Sequence, residues 1–143
     1  MLILLTMCIP VTSCSDDDED EPAPVTTPSY TIDGTTWVYQ ETSTDEDGDQ
    51  TIYSHTLQFT GTTAIWKYEL IFKYSFGGTS TYPMHENKYT YTYSTEQNTA
   101  VLTPTNDNET SNLAILTAKV TPGVQLVLWN TSKNENVATF LAK

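Results

Sequence analysis

From Trp66 to Phe76 the chain alternates without a break. The even positions Trp66, Tyr68, Leu70, Phe72, Tyr74 and Phe76 are large and apolar or aromatic; Ile65, Lys67, Glu69, Ile71, Lys73 and Ser75 occupy the odd ones. Successive side chains of a strand point to opposite faces, so this period of two predicts a strand with one buried face. Its length predicts one bent strand, or two strands meeting at a bend, ended by Gly77-Gly78. From Thr31 onward no window holds a helical period, and shorter segments repeat the strand pattern. Thr35–Gln40 sets Trp37 and Tyr39 on one face; Thr51–Thr60 does the same with Tyr53, His55, Leu57 and Phe59. Lys88–Ser94 alternates Tyr89, Tyr91 and Tyr93 with threonines, and Thr99–Thr103, Leu113–Thr121, Val124–Trp129 and Asn136–Ala142 follow.

The connections are short and polar. Asp47-Gly48 between alternating runs predicts a hairpin with a type I′ turn, which needs positive φ at both central residues. Pro122-Gly123 suits the central positions of a type II turn. Glu96-Gln97-Asn98 marks another turn and Pro104–Ser111 a polar loop. About eight strands without a crossover helix imply an all-β, antiparallel up-and-down meander, closed as a barrel or strongly curled. A chain rich in Thr, Tyr and Val agrees, since β-branched and aromatic side chains suit a pleated, half-buried surface.

The N-terminus follows different rules. Met1–Val11 is apolar but too short to span a bilayer, and reads as the core of an export signal. Val11-Thr12-Ser13-Cys14 resembles the lipobox of bacterial lipoproteins: an aliphatic residue, two small ones, then cysteine. That resemblance implies a signal peptide over 1–13 and a mature chain beginning at a lipidated Cys14, with fatty acyl (palmitate) chains as the membrane anchor. The run Asp16–Glu21 holds six of the chain's eighteen acids and is similar to the acidic tract behind the lipidated cysteine of surface-exposed Bacteroidota lipoproteins. With Pro22, Pro24 and Pro28 it makes residues 14–29 a tether reaching roughly 50 Å when extended, at just over 3 Å per residue. The β domain is expected over 30–143.

Within that domain, Ile32-Asp33-Gly34-Thr35-Thr36-Trp37, Leu57-Gln58-Phe59-Thr60, a Tyr-rich strand and the closing Phe140-Leu141-Ala142-Lys143 resemble the lipocalin-like lipoproteins of Bacteroidota. The resemblance covers nearly the whole domain through short motifs. Lipocalins open their first strand with G-x-W, where this chain has G-x-x-W ending at Trp37. The resemblance implies a small barrel held at the outer membrane and facing outward. It implies no defined activity, because members of that group are mostly uncharacterised.

Charge and chemistry narrow the rest. The formal charge is −12 and none of the six basic residues is Arg, so nucleic acid is excluded as a partner. Both cysteines, Cys8 and Cys14, lie ahead of the domain, which therefore has no disulfide and no thiol site. Asp45-Glu46-Asp47-Gly48-Asp49 has the carboxylate density of a calcium loop without its regular ligand order, and reads as an exposed acidic hairpin tip. His55 and His85 are the only histidines. The first shares a face with Tyr53 and Leu57, and the second is expected in a loop after Tyr82-Pro83-Met84. Glu69, on the lysine-bearing face, reads as half of a cross-strand ion pair. Asn108-Glu109-Thr110 and Asn130-Thr131-Ser132 match the glycosylation acceptor pattern but read as loop composition. No nucleophile elbow or phosphate loop is present, so the sequence predicts no enzyme, no cofactor and no metal site.

What remains is the aromatic faces. Trp66, Tyr68, Phe72, Tyr74 and Phe76, with Tyr89, Tyr91 and Tyr93, are the candidate ligand-binding residues, set to line a barrel that takes a small apolar or aromatic ligand. The competing interior is an ordinary filled core. The alternative function is a non-catalytic accessory protein that binds a protein or glycan through an exposed face. An outward row of Tyr89, Tyr91 and Tyr93 would favour it. In either case the chain is expected to act as a monomer.

Overall fold

The computed structural model describes residues 29–108 and 112–143; the export signal, the lipobox, Cys14 and the acidic tract lie outside the described residues. Eight strands follow in chain order: β1 (Thr36–Thr44), β2 (Gln50–Thr60), β3 (Thr63–Lys73), β4 (Thr79–Ser94), β5 (Thr99–Pro104), β6 (Leu116–Thr121), β7 (Gln125–Asn130) and β8 (Glu135–Ala142). Every neighbouring pair is antiparallel, and β8 returns to β1 to close an up-and-down barrel. The all-β meander expected from the alternation is what forms.

The inside of the barrel is filled. Going round one level, Tyr93, Ala100, Ala118, Leu128 and Ala138 oppose one another in register, so alanines space the large side chains. At another, Phe59 and Tyr89 flank Ala64. This alternation lets a narrow barrel close on its own side chains. Phe59, Leu57, Leu102, Leu126, Leu128 and Phe140 are fully buried, each contributing roughly 1.5–3 kcal/mol by leaving water. Ile32 plugs the floor beside Trp37, whose indole N–H donates to Thr35 Oγ1 at 2.9 Å. Leu113 and Ala114, from the β5–β6 connection, pack on the core as well.

Strand length decides the rest of the shape. β2, β3 and β4 run 11, 11 and 16 residues, whereas β5, β6 and β7 run six each. β8 pairs with β1 only at Trp37 and Val38, and β5 pairs with β4 only from Tyr89 to Ser94. Beyond those points β1–β4 continue as a four-stranded extension, roughly 20 Å tall at 3.3 Å per residue. Its inner face continues the barrel interior.

Several local expectations are corrected. The alternating run ends at Lys73, not Phe76. Tyr74 to Gly78 form a turn in which the Gly77 N–H donates to the Tyr74 carbonyl at 2.9 Å. His85 lies inside β4 rather than in a loop, and β6 begins at Leu116 rather than Leu113. At Asp45–Asp49, Gly48 takes φ +83° while Asp47 has no positive φ. The turn is therefore not type I′: the Gly48 N–H closes on the Asp45 carbonyl, and the Asp45 N–H on that of Asp49. Its carboxylates serve the backbone. Asp45 Oδ1 accepts from the Asp47 and Asp49 amides, and Asp49 Oδ1 accepts from the Ser75 amide at 2.8 Å, which ties the two hairpin tips together. Pro122-Gly123 does form the expected turn, with the Val124 N–H on the Thr121 carbonyl and Gly123 at φ +67°.

Candidate functional site: an aromatic face on the sheet extension

One irregularity organises the inner face of the extension. Opposite Tyr68 and Glu69 the register of β4 slips, so that Tyr68 faces His85, Glu69 faces Pro83, and Met84 is the extra residue of a β-bulge. A strand of strict period two would send Tyr82 and His85 to opposite faces. The bulge resets the parity, and Tyr82, His85 and Tyr89 all come to the inner side with Leu70, Tyr68 and Ala64.

The result is a row of four rings across four strands. Tyr39 of β1, His55 of β2, Tyr68 of β3 and His85 of β4 stand directly opposite in register. Ring centroids are 5.5 Å apart for Tyr39–His55, 4.6 Å for His55–Tyr68 and 6.5 Å for Tyr68–His85; the last two pairs lie within 20° of parallel. One level toward the barrel, Trp66 pairs with Leu57 and Asn87. Its ring and that of Tyr39 meet Phe140 at 6.1 and 6.2 Å, roofing the core. One level outward lie Glu41, Tyr53, Leu70 and Tyr82, with Tyr53 stacked on Tyr68 at 6.4 Å. Tyr53 and Tyr82 are 39% and 52% exposed, large values for rings on an inner face.

Polar groups on this face are few and specific. The Trp66 indole N–H donates to His55 Nδ1 at 3.3 Å, so the neutral imidazole carries its proton on Nε2. Burial lowers the His55 pKa below the ordinary histidine value, while the Glu41 carboxylate pulls weakly the other way. The Tyr39 hydroxyl donates to Glu41, and this bond raises the Tyr39 pKa. His55, Trp66, Tyr68, His85 and Asn87 together line an open pocket of about 300 Å³. A second, of about 360 Å³, opens beside the bulge on the lysine-bearing side, where Lys67, Glu69, Glu86, Lys88 and Asp107 line it with Met84. Among the described residues no three His, Cys, Asp or Glu side chains gather as metal ligands. The two histidines stand two strands apart with Tyr68 between them, roughly 10 Å at the inter-strand spacing, too far to share an ion.

The eight aromatic residues singled out in the sequence go to three places. Trp66, Tyr68 and Phe72 lie on the face just described. Tyr74 and Phe76 stack on each other at 5.2 Å in the β3–β4 turn, where Phe76 is 84% exposed. Tyr89 is buried in the barrel; Tyr91 packs edge-on to Phe59 at 4.9 Å, and Tyr93 reaches Tyr30 and Asn98 near the floor. Tyr89, Tyr91 and Tyr93 therefore point inward, away from the outward row that would have favoured an exposed tyrosine stripe. Tyr39, Tyr53, His55, Tyr82 and His85 belong to the face and are not among those eight. Alternation placed Tyr53 and His55 correctly, but Met84 hid the parity of Tyr82 and His85.

On the opposite face of the extension Ile52 and Ser54 are buried, and the Gln40 amide donates to Ser54 Oγ at 3.1 Å. Lys67 and Glu86, directly opposed, form an exposed ion pair at 3.6 Å, worth at most about 1 kcal/mol. Glu69, expected in such a pair, instead faces Pro83 because of the slip at Met84. The first acceptor pattern has a structural use: Asn108 Oδ1 accepts from the Lys88 amide at 2.6 Å, and its Nδ2 donates to the Lys88 carbonyl at 2.8 Å. That side chain copies a strand's two hydrogen bonds and stops β4 from pairing further.

No described protein family, curated protein or solved structure matches this chain.

Proposed function

We propose that this chain is a non-catalytic lipoprotein of the bacterial envelope. Anchored at Cys14 to the outer membrane and facing outward, it binds a small aromatic or apolar ligand on the inner face of its sheet extension. The observation that carries the reading is the cross-strand row Tyr39–His55–Tyr68–His85 left open above a filled barrel. Ring faces without covering side chains, next to a few oriented polar groups, are the ordinary make-up of a ligand site. The filled core supports a site at the mouth rather than in the barrel interior, where a lipocalin-like protein would hold its ligand. The small closed barrel is compatible with the lipocalin-like resemblance.

Two experiments test the two halves. A library of small aromatic and aliphatic compounds is screened by NMR against the full chain. Binding should move the His55, His85 and Trp66 signals while leaving Leu102 and Leu126 unmoved, and Tyr68→Ala should abolish it. Shifts centred on the barrel core would move the site back inside. For the anchor, Cys14→Ala should release the protein from the membrane fraction and abolish incorporation of labelled palmitate. A membrane-bound Cys14→Ala protein would remove lipidation from the account.

A second reading draws on a separate observation. Phe76, Tyr82 and Met84 are all strongly exposed on the extension, a pattern found where a larger partner lands. If that is their use, Phe76→Ser with Met84→Ser abolishes protein or glycan capture and leaves small-ligand binding intact.

A further inference from the structure

The row of rings is not evenly spaced, and the spacing discriminates. His55 and Tyr68, at 4.6 Å, are already in contact as a closed stack. Tyr68 and His85, near-parallel at 20°, stand 6.5 Å apart. A flat ring between two others needs two carbon–carbon contact distances of about 3.5 Å, or roughly 7 Å in all. The bulge at Met84 lies beside this pair, and the inner-face pocket of about 300 Å³ includes Tyr68 and His85 in its walls. His85 is exposed, so a small rotation supplies the remaining width.

Charge narrows the occupant. No lysine lies on the inner face of the extension: Lys67 and Lys73 occupy the outer positions of β3 and Lys88 that of β4. Lys67 is engaged by Glu86, and Lys88 by Asp107 at 3.7 Å. Glu41 stands on the inner face, where among the described residues it has no ion-pair partner. Aromatic faces are themselves electronegative and attract cations, and a chain of net charge −12 concentrates cations around it.

Building on the reading of this face as a ligand surface, we propose that Tyr68 and His85 are the walls of a slot for one flat, positively charged ring, of the N-alkylpyridinium or N-alkylquinolinium class. Tyr68 supplies the fixed wall, held from behind by His55; His85 supplies the adjustable one. Asn87, at the inner end, offers an amide to a polar substituent.

The test uses the two histidines as reporters, since the chain has no others. The full chain is titrated with N-methylquinolinium, with neutral quinoline at pH 8, and with N,N-dimethylpiperidinium, a puckered cation. The imidazole Cε1–H signals are followed by NMR. N-methylquinolinium should move the His85 signal upfield through its ring current. Quinoline and the puckered cation should bind about tenfold or more weakly, and His85→Ala should weaken N-methylquinolinium by about tenfold, the scale of one lost stacked wall. Equal binding by the puckered cation overturns the slot, and equal binding by quinoline overturns the charge preference. If His85→Ala binds as well as the parent while His55 and Trp66 still respond, the slot fails and the aromatic face survives. If no probe and no library compound moves either histidine, both fail.

Discussion

Tyr89 makes the fold's dependence on alkali calculable. Its ring sits between Ala64 and Pro104 in register, 1% exposed, and burial alone pushes its hydroxyl pKa up to about 12. In the unfolded chain the same phenol ionises near 10. Because the folded value is the higher one, the contribution is complete below pH 10 and is lost as pH rises through 12. Two units correspond to roughly 2.7 kcal/mol in the limit, of which about 2 kcal/mol is gone by pH 12. Tyr30, Tyr91 and Tyr93 are raised in the same direction by burial, so the parent protein alone would not isolate the effect. Tyr89→Phe does, since phenylalanine fills the same space and has nothing to ionise. Urea unfolding between pH 8 and pH 12 should give two stability curves that run together to pH 9 and then diverge, the parent falling about 2 kcal/mol further by pH 12. Curves that stay parallel across that range would refute the linkage and the burial of the hydroxyl with it.

Three further outcomes follow from single residues. Asn108→Ala removes hydrogen bonds to the Lys88 amide, the Lys88 carbonyl and the Thr105 carbonyl, and should cost about 2–3 kcal/mol in urea unfolding; a loss under about 0.5 kcal/mol would show that the edge cap is decorative. His55 should titrate below 6.5 by NMR, so its stabilisation is present above pH 6.5 and is lost as pH falls through the folded value. Trp66→Phe, which removes the N–H held by Nδ1, should raise that midpoint, and a parent midpoint at or above 6.5 counts against the geometry. Gly48→Ala forces a β-carbon onto a residue at φ +83°, 3.5 Å from Ser75 Cβ, and should cost about 1–2 kcal/mol by thermal unfolding, with Gly48→Asn costing less.

Most of the fold was legible because one rule, period-two alternation, governs each strand. The turn at Pro122-Gly123 was legible because only a few residue types satisfy its angles. The alternation at Tyr74 and Phe76 misled, since Gly77 and Gly78, both at positive φ, allow the turn to start three residues earlier than the pattern suggests. The candidate face was half legible. Trp66, Tyr68 and Phe72 lie on a regular strand and could be assigned a side. His85 and Tyr82 could not, because Met84 inserts one residue and reverses the parity between them, and no residue type announces a bulge of this kind. Nor does alternation say how far a strand pairs, and that extent decides whether an inward ring is covered. Tyr89 is buried because β5 runs beside it; Tyr82 is open because β5 ends at Pro104.

That difference in pairing bears on why the extension exists. A four-stranded sheet standing clear of its barrel has two free edges, and an aromatic face between free edges is a template for aggregation. Here the β4 edge is interrupted three times in a short stretch, by Pro83, by the bulge at Met84 and by the Asn108 side chain on Lys88. Proline offers no amide, the bulge breaks the regular spacing of hydrogen-bond groups, and the asparagine occupies the next position a fifth strand would take. At the tip, Asp49 binds the Ser75 amide and fastens the β1–β2 turn to the β3–β4 turn, with carboxylates around the junction. Such a sheet resists extension by another strand through its β4 edge while its inner face stays apolar and uncovered. Stability alone would be better served by folding that face away or making it polar. The combination of a guarded edge and an unguarded face is therefore an argument for the proposed ligand approaching face-on, at the same row, Tyr39–His55–Tyr68–His85, that the bulge assembles.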